Sequence, residues 1–138
     1  VADIARGELL LANSAHPAPL CVHGPNGEVE FLSTNGSTGP ALGLFPDTVF
    51  RTCRCAIQPG DLVMFYTDGL FEVESSDRNE FFSQQHLLDT ARRRAALPAP
   101  QLFTNLIEDI RSFSHNASFD DDVCLVGMEL KRLANATA

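Results

Sequence analysis

Positive charge is scarce in this sequence. Lys and Arg number 10 against 18 Asp and Glu in 138 residues, a formal net charge of −8. Binding to a phosphate backbone needs clustered cations to displace counterions. The one such cluster, Arg92-Arg93-Arg94, falls in a helical pattern that suits a solvated face. Nucleic acid is therefore excluded as a partner. Long apolar runs are missing too: none approaches the ~20 residues of a bilayer-spanning helix. The N-terminus has no basic stretch followed by an apolar core and a small-residue cleavage site, so no secretory signal is read and a cytoplasmic location is expected. The cysteines, at 21, 53, 55 and 124, form no Cys-x-x-Cys pair and meet no His-x-x-x-His partner, which argues against zinc and for reduced thiols. Asn-x-Ser/Thr triplets begin at Asn35, Asn116 and Asn135, but without a secretory signal they read as chance.

What is present is enough for one folded unit. With 44% hydrophobic and 20% charged residues, the chain fits a single globular domain over 1–133, followed by a frayed tail at 134–138. Short β-elements lead: "GELLLANSA", "PLCVHG" and "EVEFLS", the last two joined by a hairpin turn at Pro25–Gly27. A Gly- and Pro-rich loop, "TNGSTGPALGLFPD", separates them from "TVFRTCRCAI". That run alternates, with Val49, Cys53, Cys55 and Ile57 expected on a core face. The turn "QPGD" then feeds "LVMFYTDG", and two strands so joined are expected to be antiparallel neighbours. From Ser83, an N-cap, the period changes to helical, with Leu87, Leu88, Ala91 and Ala95 on one stripe. A second helix carries Leu102, Phe103, Leu106, Ile107, Ile110 and Phe113 on one side. "DDDVCLVGMEL" closes the chain with a strand. The class is α+β, with helices covering a largely antiparallel sheet. Residues 62–66, apolar on both faces, call for a central strand covered on both sides, hence a layered sandwich.

Asp68 stands at the C-terminal end of that strand, and Asp121 at the N-terminal start of another. Asp68-Gly69 reads as a turn signal and Asp120–Asp122 as a solvated loop, if local pattern alone is weighed. Antiparallel pairing of the two strands would instead bring both acids to one rim. Carboxylates gathered there repel one another unless a cation compensates them. Oxygen donors without His or Cys favour Mg²⁺ or Mn²⁺, and such ions suit phosphoryl chemistry.

Five blocks, "ANSAHPAPL" (12–20), "TGPALGLF" (38–45), "PGDLVMFYTDGLFEVE" (59–74), "NEFFSQQHL" (79–87) and "DDDVCLV" (120–126), stand in the order and rough spacing of the PPM-type metal-dependent protein phosphatases. The chain most resembles their bacterial SpoIIE/RsbU branch, over nearly its whole length. The resemblance implies an α-β-β-α sandwich and hydrolysis of phosphoserine or phosphothreonine by direct attack of a metal-activated water. It implies that Asp68 and Asp121 ligate Mn²⁺ or Mg²⁺, two ions in the complete domain. Asp120 and Asp122 flank the second ligand and leave its register open by one residue, while Gly69 allows close backbone approach beside the first. It also implies a phosphorylated anti-sigma-factor antagonist as substrate and a sensor or receiver domain upstream in the parent chain. Asp61 is read as fixing the turn before its strand, and Glu72 and Glu74 as solvated charge. His16 serves either to hold its loop by a hydrogen bond or to touch substrate.

Two departures from the family stand out. Ala15 occupies a position where the family has glycine, so a positive φ there would be strained. The family's first metal motif, of the type Asp-Val-x-Gly-(His/Lys)-Gly, has no counterpart in residues 1–138. The expectation is an N-terminally incomplete domain, weak or inactive alone, whose unpartnered apolar elements favour a homodimer. The alternative is a degenerate PPM-like module that regulates a partner by binding.

Overall fold

A computed structural model describes residues 1–32, 38–75, 80–114, 119 and 121–134. Among the described residues seven strands form two antiparallel sheets. One holds β1 (Ala2–Asp3), β2 (Glu8–Leu11) and β5 (Cys53–Ala56) in the order β1-β2-β5. The other holds β3 (Leu20–Val22), β4 (Val29–Phe31), β6 (Leu62–Tyr66) and β7 (Leu125–Glu129) in the order β4-β3-β6-β7. Two helices, α1 (Gln84–Arg94) and α2 (Ala99–Phe113), cover the free face of the four-stranded sheet.

The apolar run of β6 is explained by its place between β3 and β7, with a layer on each side. Successive side chains of a strand point to opposite faces. Leu62, Met64 and Tyr66 join Leu20, Val22 and Val29 against Leu87, Ala91, Leu102, Leu106 and Ile110 of the helices. Val63 and Phe65 pack with Cys21 against Leu9 and Cys55 of the other sheet and Ile57 just after it. Helices, four-stranded sheet and three-stranded sheet are three layers of the expected α-β-β-α sandwich. Among the described residues no helix lies beyond the three-stranded sheet.

Local chemistry accounts for the helices. The Ser83 hydroxyl accepts the His86 N–H at 3.2 Å while Ser83 N–H reaches His86 Nδ1 at 3.3 Å, a reciprocal cap with histidine in the usual Glu/Gln place. Pro98 and Pro100 open α2, where their lack of an N–H costs nothing. Arg94 makes a forked contact to Asp109, donating from Nε to Oδ2 at 3.3 Å and from Nη2 to Oδ1 at 3.1 Å, tying α1 to α2. Arg92 and Arg93 bond Asp89 and Thr90 of their own helix, so the arginine cluster is partly spent on intrachain contacts.

Two expectations are corrected. β5 and β6 are not neighbours: β5 pairs with β2, and β6 with β3 and β7, so "QPGD" is an arch between sheets. The reason lies in tertiary bonds to Asp61. Its carboxylate accepts Gln58 N–H at 2.9 Å and, from far along the chain, Gly24 N–H at 3.1 Å. Gly60, at φ +95°, crosses Gly24 so closely that a Cβ on Gly24 would lie 2.4 Å from the Gly60 backbone. Val49 is also not on a core face. It is 85% exposed, because the strand begins only at Cys53. From there the alternation holds, with Cys53 and Ile57 buried and Cys55 half-buried. Ala134, where the tail expectation begins, donates its N–H to Ile4 O at 2.9 Å, and residues 135–138 lie outside the described residues. Among the described residues no helix is long and apolar enough to cross a membrane.

Candidate metal rim

β6 and β7 pair antiparallel from Leu62–Glu129 to Tyr66–Leu125, so the chain leaves β6 where it enters β7. Thr67 closes the junction. Its N–H reaches Cys124 O at 3.1 Å, and its hydroxyl accepts Cys124 N–H at 2.9 Å and donates to Asp122 O at 2.8 Å. Sequence reasoning passed over Thr67. The signal was a hydroxyl placed immediately before the acid in "YTDG".

Asp68, Gly69 and Leu70 then form one 3-10 turn, anchored by the fully buried Leu70. Gly69 is pressed onto the other acidic segment: a Cβ there would stand 2.8 Å from Asp122 O and 3.2 Å from Asp121 O. The first of these is too short for any side chain unless the backbone shifts. Asp68 and Asp121 therefore leave adjacent backbone, on one rim of the four-stranded sheet. Asp68, Asp121 and Asp122 are all exposed. Asp68 Oδ1 accepts Gly69 N–H at 3.1 Å, and Asp121 Oδ1 accepts Asp122 N–H at 2.7 Å. Each carboxylate keeps free lone pairs, and among the described residues none of the three has an ion-pair partner. Hard oxygen donors on converging backbone, with negative charge uncompensated by protein, fit a hard divalent cation. Asp120 lies outside the described residues. Glu72 and Glu74 are exposed.

The loop of His16 reaches the same end of β6, where the buried Tyr66 hydroxyl donates to Ala18 O at 2.7 Å. Burial pushes the Tyr66 phenol well above its ordinary range, which keeps it a donor. Within the loop Asn13, 6% exposed, accepts His16 N–H at 3.0 Å and donates to His16 O at 2.8 Å. The imidazole is exposed, with Nδ1 3.1 Å from Pro17 O. Backbone pairing of Ala15 and Asn13 with Gly39 pins the loop to 38–40, and Ala15 sits at φ +54°, the region anticipated as strained for a residue with a side chain. Among the described residues, side chains of three metal-ligating groups converge elsewhere, at Cys21, His23 and Asp61.

Residues 1–131 match the family described as Stage II sporulation protein E (SpoIIE). Protein IcfG of Synechocystis sp. is 36% identical over 90 residues, which are 65% of this chain and 13% of that protein. The SiaA-PP2C domain of Pseudomonas aeruginosa superposes with a TM-score of 0.70 at 18% identity, over 91% of this chain and 47% of that one. The RsbU and RsbW domains of Rv1364c from Mycobacterium tuberculosis superpose with a TM-score of 0.67 at 26% identity, over 93% of this chain and 34% of that one. The chain thus spans under half the length of each of these relatives.

Proposed function

Since the chain belongs to the SpoIIE family, with the fold of PPM (PP2C-type) phosphatase domains, we propose that it forms part of a protein serine/threonine phosphatase. Its Asp68 and Asp121 contribute to an Mn²⁺ or Mg²⁺ site. The observation that carries this reading is the seating of Gly69 on the Asp121–Asp122 backbone, which keeps the two acids on one rim. Bound there, the ion supplies Lewis-acid polarisation of a phosphoryl group and an activated water. Asp68 and Asp121 supply the ligating oxygens; Thr67 and Gly69 position the two segments. Asn13 holds the His16 loop at the same end of the sheet, where a phosphorylated protein would be met.

The substrate we propose is a phosphorylated anti-sigma-factor antagonist, with a sensor or receiver domain controlling the parent chain in a bacterial cytoplasm. Residues 1–133 form the C-terminal portion of the phosphatase domain. Self-association through the face of the three-stranded sheet on which no helix lies among the described residues belongs to the same proposal. Calorimetric titration of Mn²⁺ at near-neutral pH tests the metal assignment. The expected result is weak binding by the chain that is lost in Asp68→Asn; equal binding by both proteins would overturn it and favour a binding module without the chemistry.

A further inference from the structure

The other end of β6 carries a second constellation. Cys21 of β3 and His23 just beyond it share a strand face, being two residues apart, and Asp61 precedes β6 beside them. His23 Nδ1 lies 3.9 Å from Cys21 Sγ and 3.6 Å from Asp61 Oδ1, and one ligand atom from each residue falls within 4.8 Å of the others. Cys21 is fully buried and Asp61 1% exposed, while the His23 side chain, 18% exposed, opens the cluster to solvent.

The hydrogen bonds around the cluster decide what it can hold. His23 Nε2 stands 3.1 Å from Glu30 Oε1 on the neighbouring strand. A carboxylate only accepts, so Nε2 carries a proton, and when the ring is neutral Nδ1 presents its lone pair inward. That lone pair faces another acceptor, Asp61 Oδ1. The Asp61 carboxylate uses one lone pair on each oxygen for Gly24 N–H and Gln58 N–H, so Oδ1 has one to spare. The gap between that nitrogen, that oxygen and the neighbouring sulfur is closed by a proton or by a metal cation, and only a cation engages all three atoms at once. A carboxylate behind the distal nitrogen is also the usual support of a metal-bound histidine.

We propose that Cys21, His23 and Asp61 bind a zinc ion, with a fourth, solvent-facing position open. Tetrahedral coordination at ordinary Zn–S, Zn–N and Zn–O lengths sets S···N at roughly 3.6 Å and N···O at roughly 3.3 Å. The cluster is within a few tenths of an ångström of both. Mixed sulfur, nitrogen and oxygen donors select a borderline-soft ion over Mg²⁺ or Mn²⁺. On binding, the Cys21 S–H bond breaks, a Zn–S bond forms and the proton passes to solvent. The bound ion clamps the β3–β4 hairpin to the arch before β6. The length of the five-residue β6, about 16 Å at ~3.3 Å per residue, separates it from the Asp68 rim, so it takes no part in phosphoryl transfer.

Cobalt(II) is the probe, titrated into the chain in a non-thiol reductant. The expected spectrum combines a near-ultraviolet thiolate-to-cobalt charge-transfer band with the visible bands of four-coordinate cobalt, and one equivalent of Zn²⁺ bleaches both. Cobalt held by carboxylates on the Asp68 rim gives no charge-transfer band. Cys21→Ser should abolish that band, His23→Gln should weaken binding at least tenfold, and Glu30→Gln about tenfold through the lost support of the ring. Cys124→Ser should change nothing. His23 lies at the edge of the core, so circular dichroism can certify that its variant is folded. Absence of the band at millimolar cobalt, or its survival in Cys21→Ser or in folded His23→Gln, would overturn the proposal.

Discussion

Ala15 shows how much one methyl group can decide. It holds φ +54° because the bonds of Ala15 and Asn13 to Gly39 and of Asn13 to His16 fix the loop around it. A left-handed conformation costs an L-residue about 1–2 kcal/mol, and glycine escapes most of that while losing more freedom on folding. Ala15→Gly is therefore expected to stabilise the chain by roughly 0.5–1 kcal/mol in urea melts. A drop in midpoint would mean the loop relaxes differently. The strain could be anticipated from the sequence only conditionally, as what would follow if φ were positive. The zinc ligands were less legible still. Cys21-x-His23 is a spacing that matters on a strand rather than in a loop, and its third member lies thirty-eight residues on, brought in by backbone bonds to Gly24.

At the scale of elements, α2 is held by burial rather than by charge. Leu102, Leu106 and Ile110 are fully buried against β6 and its neighbours, whereas the Arg94–Asp109 pair has side chains 38% and 30% exposed. Truncating a buried leucine removes transfer energy and leaves a cavity, about 2–5 kcal/mol. A partly exposed ion pair contributes at most about 1 kcal/mol. Leu106→Ala should accordingly lower the denaturation midpoint several times more than Arg94→Ala, and comparable losses would assign the helix to electrostatics. Both helices were readable from their period and from Ser83, since amphipathic stripes report a buried side directly. The partners of β5 were not. A Pro-Gly turn before an acid looks the same whether the next strand joins the same sheet or crosses to another, and Asp61 decides by bonding Gly24.

For the whole molecule, the layer between the two sheets sets an alkaline limit. Burial, then the neighbouring Cys53, pushes the half-buried Cys55 thiol from about 9 to about 11. The folded chain thus keeps this proton after the unfolded chain has lost it. The stabilisation is fully present below pH about 9 and declines as pH rises toward about 11. Urea midpoints of metal-free protein should fall across that window, and Cys55→Ala should make the decline shallower without removing it, because burial also pushes the Cys21 thiol of the same layer up to about 12; an unchanged slope would leave Cys21 as the sensitive group. That two sheets would stack at all was signalled in the sequence by the doubly apolar run at 62–66. Which residues would meet between them was not, because it depends on how β2 and β5 align.

The central strand is also a ruler. Because β6 alternates its side chains between two filled layers, it cannot slide by one residue without exchanging every one of them, and its length is fixed. The separation of roughly 16 Å between its ends is about twice the screening length of about 8 Å in physiological salt. Cations at the Asp68 end and at the Asp61 end would scarcely sense one another's charge. Their occupancies should be independent, each following the availability of its own metal, so that a single short strand would let one domain register two ions separately.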